Sequence, residues 1–327
     1  MNRRNFISRA VGGSALAMSP FVLGAGISIQ SPKKIGIIGL DTSHSPAFAK
    51  YFNETDTSRK FQVVAAYPYG SKDIESSVSR IPKYTEEVKK HGVQIVDSIK
   101  KLLDSVDVVL LETNDGRLHK EQALQVISAR KPLFVDKPVA ASMDDVIAIY
   151  GEAKKMGVPI FSSSSLRYMK TVQSVRYEDA IGKVIGADTF SPATIEPTHP
   201  DLFWYGIHGV EILYTVMGTG CESVTRFNKD NMDVVVGIWK DGRIGTFRGT
   251  RDGKHDYGGT AYGSKGNLVL GPFDGYDALS IKIAEFFTTG KSPVEDAETI
   301  EIYAFMEAAH QSTKKGGASV RLADVMK

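Results

Sequence analysis

The sequence predicts an α/β + α+β fold, in which a doubly wound parallel sheet is followed by a mostly antiparallel open sheet with helices on one face. Three observations support this prediction. Short β-branched runs alternate with helical segments through the first half of the chain, which is typical of parallel strands joined by right-handed crossovers. After Ser165 the predicted strands follow one another with turn residues between them. The length of 327 residues suits two domains better than one.

Residues 1–31 are predicted to be an export signal rather than part of the fold. Arg3 and Arg4 precede a moderately apolar stretch at 11–29 that is rich in Gly, Ala and Ser, and no acidic residue comes before Asp41. This layout is typical of a bacterial twin-arginine signal, which implies a periplasmic protein. A transmembrane anchor is the alternative, but so many glycines and serines make a poor spanning helix.

The first domain, predicted over 32–163, begins with a β-branched run that ends at Gly39. Ser45 as N-cap, followed by Pro46, predicts the start of the first helix. Further strands are predicted at 61–66, 93–96, 106–112, 133–135 and 158–162, and further helices at 99–103, 119–128 and 144–156.

The second domain, predicted over 164–295, is expected to be a sheet faced by helices. Helix 207–217 is predicted because Val210, Leu213, Tyr214 and Met217 lie on one face. The other predicted helices are 177–181 and 276–288, and the predicted strands are 185–190, 232–239, 244–250 and 267–270. The C-terminal segment 296–327, with a helix at 298–314, is expected to pack back on the first domain. An open sheet face is often an oligomer surface, so we expect a homo-oligomer.

Composition excludes several classes of protein. The apolar content of 42% and charged content of 24% are those of a soluble globular protein. The net charge of +2, without a long basic stripe, argues against a dedicated nucleic-acid binder. Cys221 is the only cysteine, so the chain has neither an internal disulfide nor a cysteine-based zinc framework.

An Asp-Lys-Pro sequence follows the predicted buried strand 133–135. Asp136 and Lys137 place opposite charges where an open α/β sheet binds its ligand, at the carboxyl ends of the strands. Lys137 is therefore a candidate acid or hydrogen-bond donor, with a surface salt bridge as the alternative. Pro138 permits a cis peptide bond at this point.

The turn after the first strand resembles a dinucleotide-binding loop, but Asp41 and His44 stand where a regular loop has glycines. A carboxylate about 4 Å from a diphosphate charge is repelled by roughly 4 kcal/mol at an effective dielectric of 20. Thr42, Ser43 and the free N–H groups of the helix start oppose this repulsion. We therefore expect weak or atypical NAD(P) binding, which Asp41→Gly would tighten; a pocket without nucleotide is the alternative.

The end of the second predicted strand lacks the acid that would hold an adenine ribose. Ser71 and Lys72 follow it instead and are candidates to take a 2′-phosphate, which favours NADP over NAD.

Taken together, these features resemble the glucose–fructose oxidoreductase/inositol dehydrogenase (Gfo/Idh/MocA) family over 33–322. The Asp-Lys-Pro sequence, a variant of the family's Glu-Lys-Pro, and Gly206-Ile207-His208 are the most specific matches. The resemblance rests on segments 36–40, 111–114 with His119, 135–140, 166–168, 205–208, 263–268 and 320–322.

The resemblance implies an NAD(P)-dependent oxidoreductase that acts on a hydroxyl group of a sugar, cyclitol or glycoside. Lys137 would hydrogen-bond the substrate hydroxyl, and His208 would be the acid or base that moves its proton. For His208, the alternative to a catalytic role is a histidine near a helix start that bonds backbone groups. For Arg167, which the resemblance places at the substrate or cofactor, the alternative is a surface ion pair. The implied cofactor-binding residues are Gly39, Thr42, Ser43, His44, Thr113, Asn114, His119, Asp136 and Lys137. The implied substrate-binding residues are Arg167, Tyr168, His199, Trp204 and His208.

One departure from the family leaves the chemistry open. An aspartate often stands four residues before the histidine, and here that position is Trp204, which stacks on a sugar ring but accepts no proton. A lyase, hydratase or epimerase acting on a keto-sugar, or a non-catalytic carbohydrate-binding protein, are the alternatives. Glu196, His199 and Asp201 are acid/base candidates or form a polar loop, and their spacing does not predict a metal site.

Overall fold

The computed structural model describes residues 31–56, 58–254 and 256–326, and the chain from Pro32 onward forms one compact unit. The predicted export signal therefore lies outside the described residues, apart from its last position. Within the described ranges, no helix combines the length and the apolar character needed to cross a membrane.

The first sheet consists of six parallel strands. They are β1 (Lys33–Ile38), β2 (Phe61–Tyr67), β3 (Gln94–Ile95), β4 (Val108–Leu111), β5 (Leu133–Val135) and β6 (Ile160–Ser162). Their spatial order is β3-β2-β1-β4-β5-β6, which is the order of a Rossmann-like sheet and confirms the doubly wound parallel sheet predicted for this half. The order reverses between β1 and β4, so the loops that leave these strands diverge and open a crevice at their carboxyl ends.

Six helices accompany this sheet. They are α1 (His44–Lys50), which continues as a π-helical turn (Tyr51–Thr55), α2 (Glu75–Val78), α3 (Ile81–Lys90), α4 (Ile99–Ser105), α5 (Gly116–Ser128) and α6 (Met143–Met156). Ser98, Asp115 and Ser142 cap α4, α5 and α6 by accepting backbone N–H bonds. The predicted N-cap role of Ser45 is wrong, because Ser45 lies inside α1 and its hydroxyl donates to Gly39 O at 2.9 Å.

The second sheet has seven strands. They are β7 (Val184–Pro192), β8 (Cys221–Lys229), β9 (Met232–Trp239), β10 (Ile244–Thr250), β11 (Gly258–Gly263), β12 (Gly266–Leu270) and β13 (Val320–Arg321). Their order is β12-β11-β7-β10-β9-β8-β13, and every pair is antiparallel except β7 with β10. The fold class predicted for this half is confirmed.

The remaining helical segments belong to the second half of the chain, and several of them cover the inner face of the second sheet. They are a 3-10 turn (Ser165–Tyr168), α7 (Lys170–Tyr177), α8 (Asp201–Trp204), α9 (Ile207–Met217), α10 (Asp277–Thr289), α11 (Asp296–Lys314) and a last 3-10 turn (Leu322–Asp324). Every residue of α9 is buried, and it packs so closely that a Cβ on Gly209 would lie 2.3 Å from the Phe247 ring. The predicted helix 177–181 is wrong, since the helix in this region is α7 and ends at Tyr177.

α10 packs on the first sheet, although the sequence places it in the second domain. Phe286 lies 5.6 Å from Phe161 of β6, and Leu279 and Ile283 join the same buried cluster. α11 contacts both halves, because the Tyr303 hydroxyl accepts a bond from Val139 N at 2.6 Å while other residues of the helix pack on β8. Both helices thus contribute to the packing of the first half of the chain, although they follow the second in sequence.

The outer face of the second sheet carries exposed apolar side chains. Phe227, Ile244 and Val269 are 62%, 51% and 71% exposed. Their strand neighbours Val235 and Phe247, which point to the opposite face, are fully buried under the helices. This face is the open one that the sequence predicted.

Candidate active site

A cavity of about 450 Å³ lies between the carboxyl ends of the first sheet and the inner side of the second. Its first wall contains Thr42, Ser43, His44, Asn114 and Lys137, all predicted as cofactor-binding residues. Of the predicted substrate residues, Trp204 and His208 line the opposite wall. The fold therefore brings together residues that are as much as 166 positions apart.

Lys137 is a buried residue of this cavity and not part of a surface salt bridge. It is 7% exposed, and its Nζ lies 3.8 Å from Asp136 Oδ2. The Lys137–Pro138 peptide bond is cis, as the sequence permitted. The ammonium group is thus held between the Asp136 carboxylate and the open space of the cavity.

Asp136 itself lies behind Lys137 and pairs with His44. His44 Nδ1 is 2.9 Å from Asp136 Oδ2, and the His44 ring meets Tyr276 edge-on at 4.8 Å. Burial alone would raise the pKa of the Asp136 carboxyl, but His44 and Lys137 hold that pKa below its usual range. The histidine that breaks the glycine loop is therefore the partner of the acid that precedes the lysine, which the sequence did not predict.

Glu112 is a site residue that was not predicted from the sequence. It follows β4, it is fully buried, and its Oε2 lies 4.0 Å from His44 Nδ1. Burial first, and then the Asp136 charge, raise the pKa of Glu112 well above its usual value. An acid directly after the buried strand 108–111 was the available signal.

His208 is the second residue of α9, and one of its ring nitrogens is already bonded. Its Nδ1 is 2.8 Å from Ser164 Oγ, so we infer that Nε2 faces the cavity. Burial, followed by the charge on Lys137, lowers the pKa of His208 well below its ordinary value of 6.5. His208 is therefore neutral at pH 7, the form in which a ring nitrogen can accept a proton.

Aromatic side chains form much of the cavity wall around His208. Tyr205 and Tyr257 meet the His208 ring edge-on at 5.2 and 5.7 Å, and Phe273 connects Tyr257 to Tyr276. Trp204 also lines this wall, as predicted from its place beside the histidine. Tyr257, Phe273 and Tyr276 stand outside the motifs found in the sequence and were not predicted as site residues.

Asp41 points away from the cavity. It has no exposed surface, and its carboxylate accepts bonds from the backbone N–H groups of Asn114 at 3.0 Å and Ser71 at 3.3 Å. Gly70 leaves room for it, since a Cβ there would lie 2.0 Å from Asp41 Oδ2. Burial raises the pKa of Asp41 to about 6. The predicted position beside a diphosphate is wrong, because Asp41 instead joins the loops that follow β1, β2 and β4.

The residues that line the first wall fit a nucleotide. Thr42 and Ser43 offer hydroxyl groups at the start of α1, where the structure records no side-chain cap among the described residues. Arg80 and Ser76 continue this wall. Phosphate oxygens accept hydrogen bonds from donors of this kind, which are hydroxyls, N–H groups at a helix start and a guanidinium.

Ser71, one of the two predicted 2′-phosphate contacts, is already bonded within the protein. The Ser71 hydroxyl donates to Asp73 Oδ1 at 3.1 Å and accepts from Ile74 N at 3.2 Å. Both bonds stabilise the turn before α2. Arg80 lines the cavity instead.

Two predicted substrate residues lie in the protein interior. Arg167 is 2% exposed, and it pairs with Glu211 at 2.5 Å and with Glu298 at 2.7 Å, which corresponds to the ion-pair alternative in a buried form. Tyr168 packs in the core of the first sheet. Neither side chain lines the cavity, in contrast to the prediction.

The remaining predicted residues support the site from behind. His119 lies 2.5 Å from Thr113 O and 3.2 Å from Val139 O, and so joins the loops after β4 and β5. Gly39 has φ 91°, and a Cβ there would lie 2.5 Å from Thr113 N.

The polar loop before α8 also supports the site. His199 Nε2 accepts from Gly116 N at 3.0 Å, and its ring lies 4.9 Å from Trp204. Burial lowers the pKa of His199 to about 4. Glu196 bonds Thr198 and Asp201 pairs with Arg226, so these acids serve the loop, as in the polar-loop alternative.

Comparison with known proteins gives a family match for the first domain. Residues 33–164 match the model described as "Oxidoreductase family, NAD-binding Rossmann fold" of the Gfo/Idh/MocA group. Glucose-6-phosphate 3-dehydrogenase of Bacillus subtilis (strain 168) is 23% identical over 159 residues, which cover 47% of this chain and 40% of the relative. 1,5-Anhydro-D-fructose reductase of Ensifer adhaerens is 30% identical over 130 residues, 38% of each chain. These matches span less than half the length of the relatives.

A third relative has a different chemistry. 2,7-Anhydro-N-acetylneuraminate hydratase of Escherichia coli (strain K12) is 28% identical over 99 residues, 29% of this chain and 26% of the relative.

Solved structures share the fold of both domains. Scyllo-inositol dehydrogenase of Lactobacillus casei, with bound NAD(H) and scyllo-inositol, superimposes with a TM-score of 0.73 at 14% identity. Myo-inositol 2-dehydrogenase of Lactobacillus plantarum gives 0.72 at 16% identity. Each comparison covers 89% of this chain and 99% of the other. The two-sheet arrangement is therefore that of known oxidoreductases.

Proposed function

We propose that this chain, whose residues 33–164 belong to the Gfo/Idh/MocA oxidoreductase family, is an NAD(P)-dependent oxidoreductase that acts on a hydroxyl group of a sugar, cyclitol or glycoside. The observation that best supports the proposal is the presence of Lys137 and His208 in one cavity at the carboxyl ends of the strands. The two curated relatives named first act on sugar-like compounds by their names, which agrees with this substrate class.

The aromatic wall supports a carbohydrate substrate. A sugar ring has an apolar C–H face, and Trp204 together with Tyr257 and Phe273 supplies aromatic surface of the kind that packs against it. The hydroxyls of Ser165 and Thr194 also line the cavity and can bond the rim of a sugar. This mixture of apolar surface and a few polar groups suits a small polar ring better than a lipid or a long acidic ligand.

Lys137 and His208 divide the work on the reacting hydroxyl. The Lys137 ammonium donates a hydrogen bond to the substrate oxygen and stabilises negative charge as it develops there. Neutral His208 accepts the hydroxyl proton through Nε2, while Ser164 fixes the ring by its contact with Nδ1. When bound, NAD(P) supplies the hydride acceptor or donor.

The first wall holds the cofactor in this proposal. Thr42 and Ser43 bind the diphosphate, and the Arg80 guanidinium on the same wall supports binding of NADP at least as much as of NAD. The Asp41 carboxylate is bonded to backbone N–H groups and so does not face the phosphates in this proposal. It therefore does not repel them at close range.

A non-redox lyase, hydratase or epimerase on a keto-sugar is the second candidate. Lys137 and neutral His208 can move protons without hydride transfer, and Trp204 replaces the aspartate often found before the histidine. The hydratase that matches this chain over 99 residues favours this candidate. A carbohydrate-binding protein is a third reading, which the intact Lys137 and His208 disfavour.

One experiment separates the candidates. Purified protein is denatured, and any released nucleotide is identified by absorbance and mass; sugars and cyclitols are then assayed for nicotinamide reduction and, separately, for elimination or epimerisation. We expect NAD(P)-linked turnover. Lys137→Ala should raise the activation barrier by roughly 3 kcal/mol, which lowers kcat about 100-fold, while the protein still folds. Turnover without a nucleotide would favour the second candidate. Unchanged kcat in Lys137→Ala would remove this lysine from the mechanism.

The setting of the protein is part of the proposal. The twin-arginine pattern at Arg3 and Arg4 supports export to the periplasm. The open apolar face of the second sheet supports a homo-oligomer. A small-molecule partner, rather than a nucleic acid, agrees with the near-neutral net charge of +2.

A further inference from the structure

Three buried side chains converge behind Lys137. His44 begins the helix after β1, Glu112 follows β4 and Asp136 follows β5, so they come from three adjacent strand ends. One nitrogen or oxygen atom from each residue lies within 4.8 Å of the other two. His44 Nδ1 is 2.9 Å from Asp136 Oδ2 and 4.0 Å from Glu112 Oε2. The three atoms are therefore close enough together to contact one small ligand.

Three of the four carboxylate oxygens in this cluster lack a hydrogen-bond partner within the part of the chain that the structure describes. Both carboxylate oxygens of Glu112, and Oδ1 of Asp136, are buried without a hydrogen bond. Both residues are 0% exposed. A buried charge that is neither paired nor coordinated costs several kcal/mol. These oxygens therefore need a ligand that the surrounding protein does not provide.

The formal charge of the region indicates the sign of that ligand. Glu112, Asp136 and the neighbouring Asp41 are three carboxylates, and Lys137, 3.8 Å from Asp136, is the adjacent ammonium. Asp41 is already bonded to two backbone N–H groups, so Glu112 and Asp136 are the acids that face the cluster, and one ammonium offsets the charge of only one of them when both are ionised. The ligand that would let Glu112 ionise here is therefore a cation.

We propose that His44, Glu112 and Asp136 bind one divalent first-row transition-metal ion, of the class of Mn²⁺ or Zn²⁺. One imidazole with two carboxylates is a ligand set that these ions accept, whereas Mg²⁺ and Ca²⁺ prefer oxygen alone. Ligands about 2.0–2.2 Å from one ion lie roughly 3–4 Å apart, so small side-chain shifts suffice. His44 is the member of the cluster that lines the cavity, so the ion is reached from that side.

Metal binding at this site goes beyond the proposed hydride chemistry and is measurable without a substrate. Tag-free full-length protein is stripped with EDTA and given MnCl₂ or ZnCl₂ in turn. Bound metal per chain is then measured by mass spectrometry after desalting, together with the thermal unfolding midpoint. We expect about one ion per chain, and a midpoint that rises with the ion concentration.

Glu112→Gln is the decisive variant, because it keeps the shape of the side chain and removes its charge. We expect it to lower metal affinity at least about tenfold. Glu121→Gln, an exposed change on α5, is the matched control and should bind as the wild type does. His44→Gln keeps both acids and gives the same comparison if Glu112→Gln does not fold.

Two results would overturn the proposal. Equal metal content in the wild type and Glu112→Gln would place the ion elsewhere. A wild type that binds neither ion, together with a Glu112→Gln protein of equal or greater stability, would identify Glu112 as a neutral carboxylic acid that needs no cation.

Discussion

Asp41 joins three loops through a single carboxylate. It accepts the N–H groups of Asn114 and Ser71, and Gly70 provides the space it occupies. Replacing it with glycine would leave two buried N–H donors without an acceptor, at about 1–3 kcal/mol each. Asp41→Gly should therefore loosen the crevice rather than tighten cofactor binding, which reverses the expectation from sequence.

Stability should depend on pH through Asp41. Its pKa is raised from 3.8 to about 6 in the folded protein. The carboxyl therefore contributes stability that is fully present below about pH 4 and is lost as the pH rises through about 6. The change is on the order of 3 kcal/mol.

Asp41→Asn removes this titration. The free energies of unfolding of the wild type and Asp41→Asn are measured in urea between about pH 4 and 7. The wild type should lose stability relative to the variant as the pH rises through about 6, because the contributions of all other titrating groups cancel in the difference. Parallel pH curves for the two proteins would contradict the assignment to Asp41.

At the scale of elements, a buried ion-pair network holds the second wall of the cavity in place. Arg167 of the 3-10 turn pairs with Glu211 of α9 and Glu298 of α11, and Arg176 of α7 pairs with Glu298 at 2.9 Å. α9 carries His208, so this network positions the proposed acid/base residue without contacting the cavity.

Arg167→Met should destabilise the protein by about 3–5 kcal/mol, because it leaves the buried Glu211 carboxylate without an ion pair and Glu298 with Arg176 alone. Arg176→Met is the matched control; that side chain is 29% exposed, and its loss should cost about 1 kcal/mol or less. Denaturant unfolding measures both. If Arg167→Met kept wild-type stability but raised KM, Arg167 would be a substrate contact after all.

The elements that could be predicted are those with strong local patterns. α9, β9 and β10 were predicted to the residue, because their apolar spacing and flanking glycines are clear. α2 and α3 were missed because 75–90 is rich in polar residues, and β11 because it begins with Gly258-Gly259.

The same distinction applies to the site. Lys137 and His208 stand in recognisable motifs, whereas Tyr257 and Phe273 reach the cavity only through the folding of the second sheet. Arg167 was misplaced because sequence shows a charge but not its partner.

At the scale of the whole molecule, the open face of the second sheet is the surface where we expect subunits to meet. Phe227→Lys with Ile244→Lys should lower the molar mass in solution, because two charges would be buried in the interface. Tyr177→Lys, at a side chain that is 65% exposed on α7, is the control. Light scattering after size exclusion measures the mass, and an unchanged mass for the double variant would exclude this face.

Export is the second expectation for the whole chain. Arg3→Lys with Arg4→Lys should keep the precursor in the cytoplasm, since the export route recognises the arginine pair. Cell fractionation and the N-terminal sequence of the mature protein provide the measurement. Normal export of the double variant would show that another signal directs the protein.

The return of α10 to the first sheet limits how this chain can be recombined. Phe286 of α10 covers Phe161 of β6, which in turn packs at 5.2 Å against Phe134 of β5. A graft that moved the nucleotide-binding half alone, cut near residue 163, would expose this aromatic surface to water. Gene fusions that exchange the second half between chains of this fold would therefore need to keep α10 with the first sheet, although α10 follows the strands β7 to β12 in sequence.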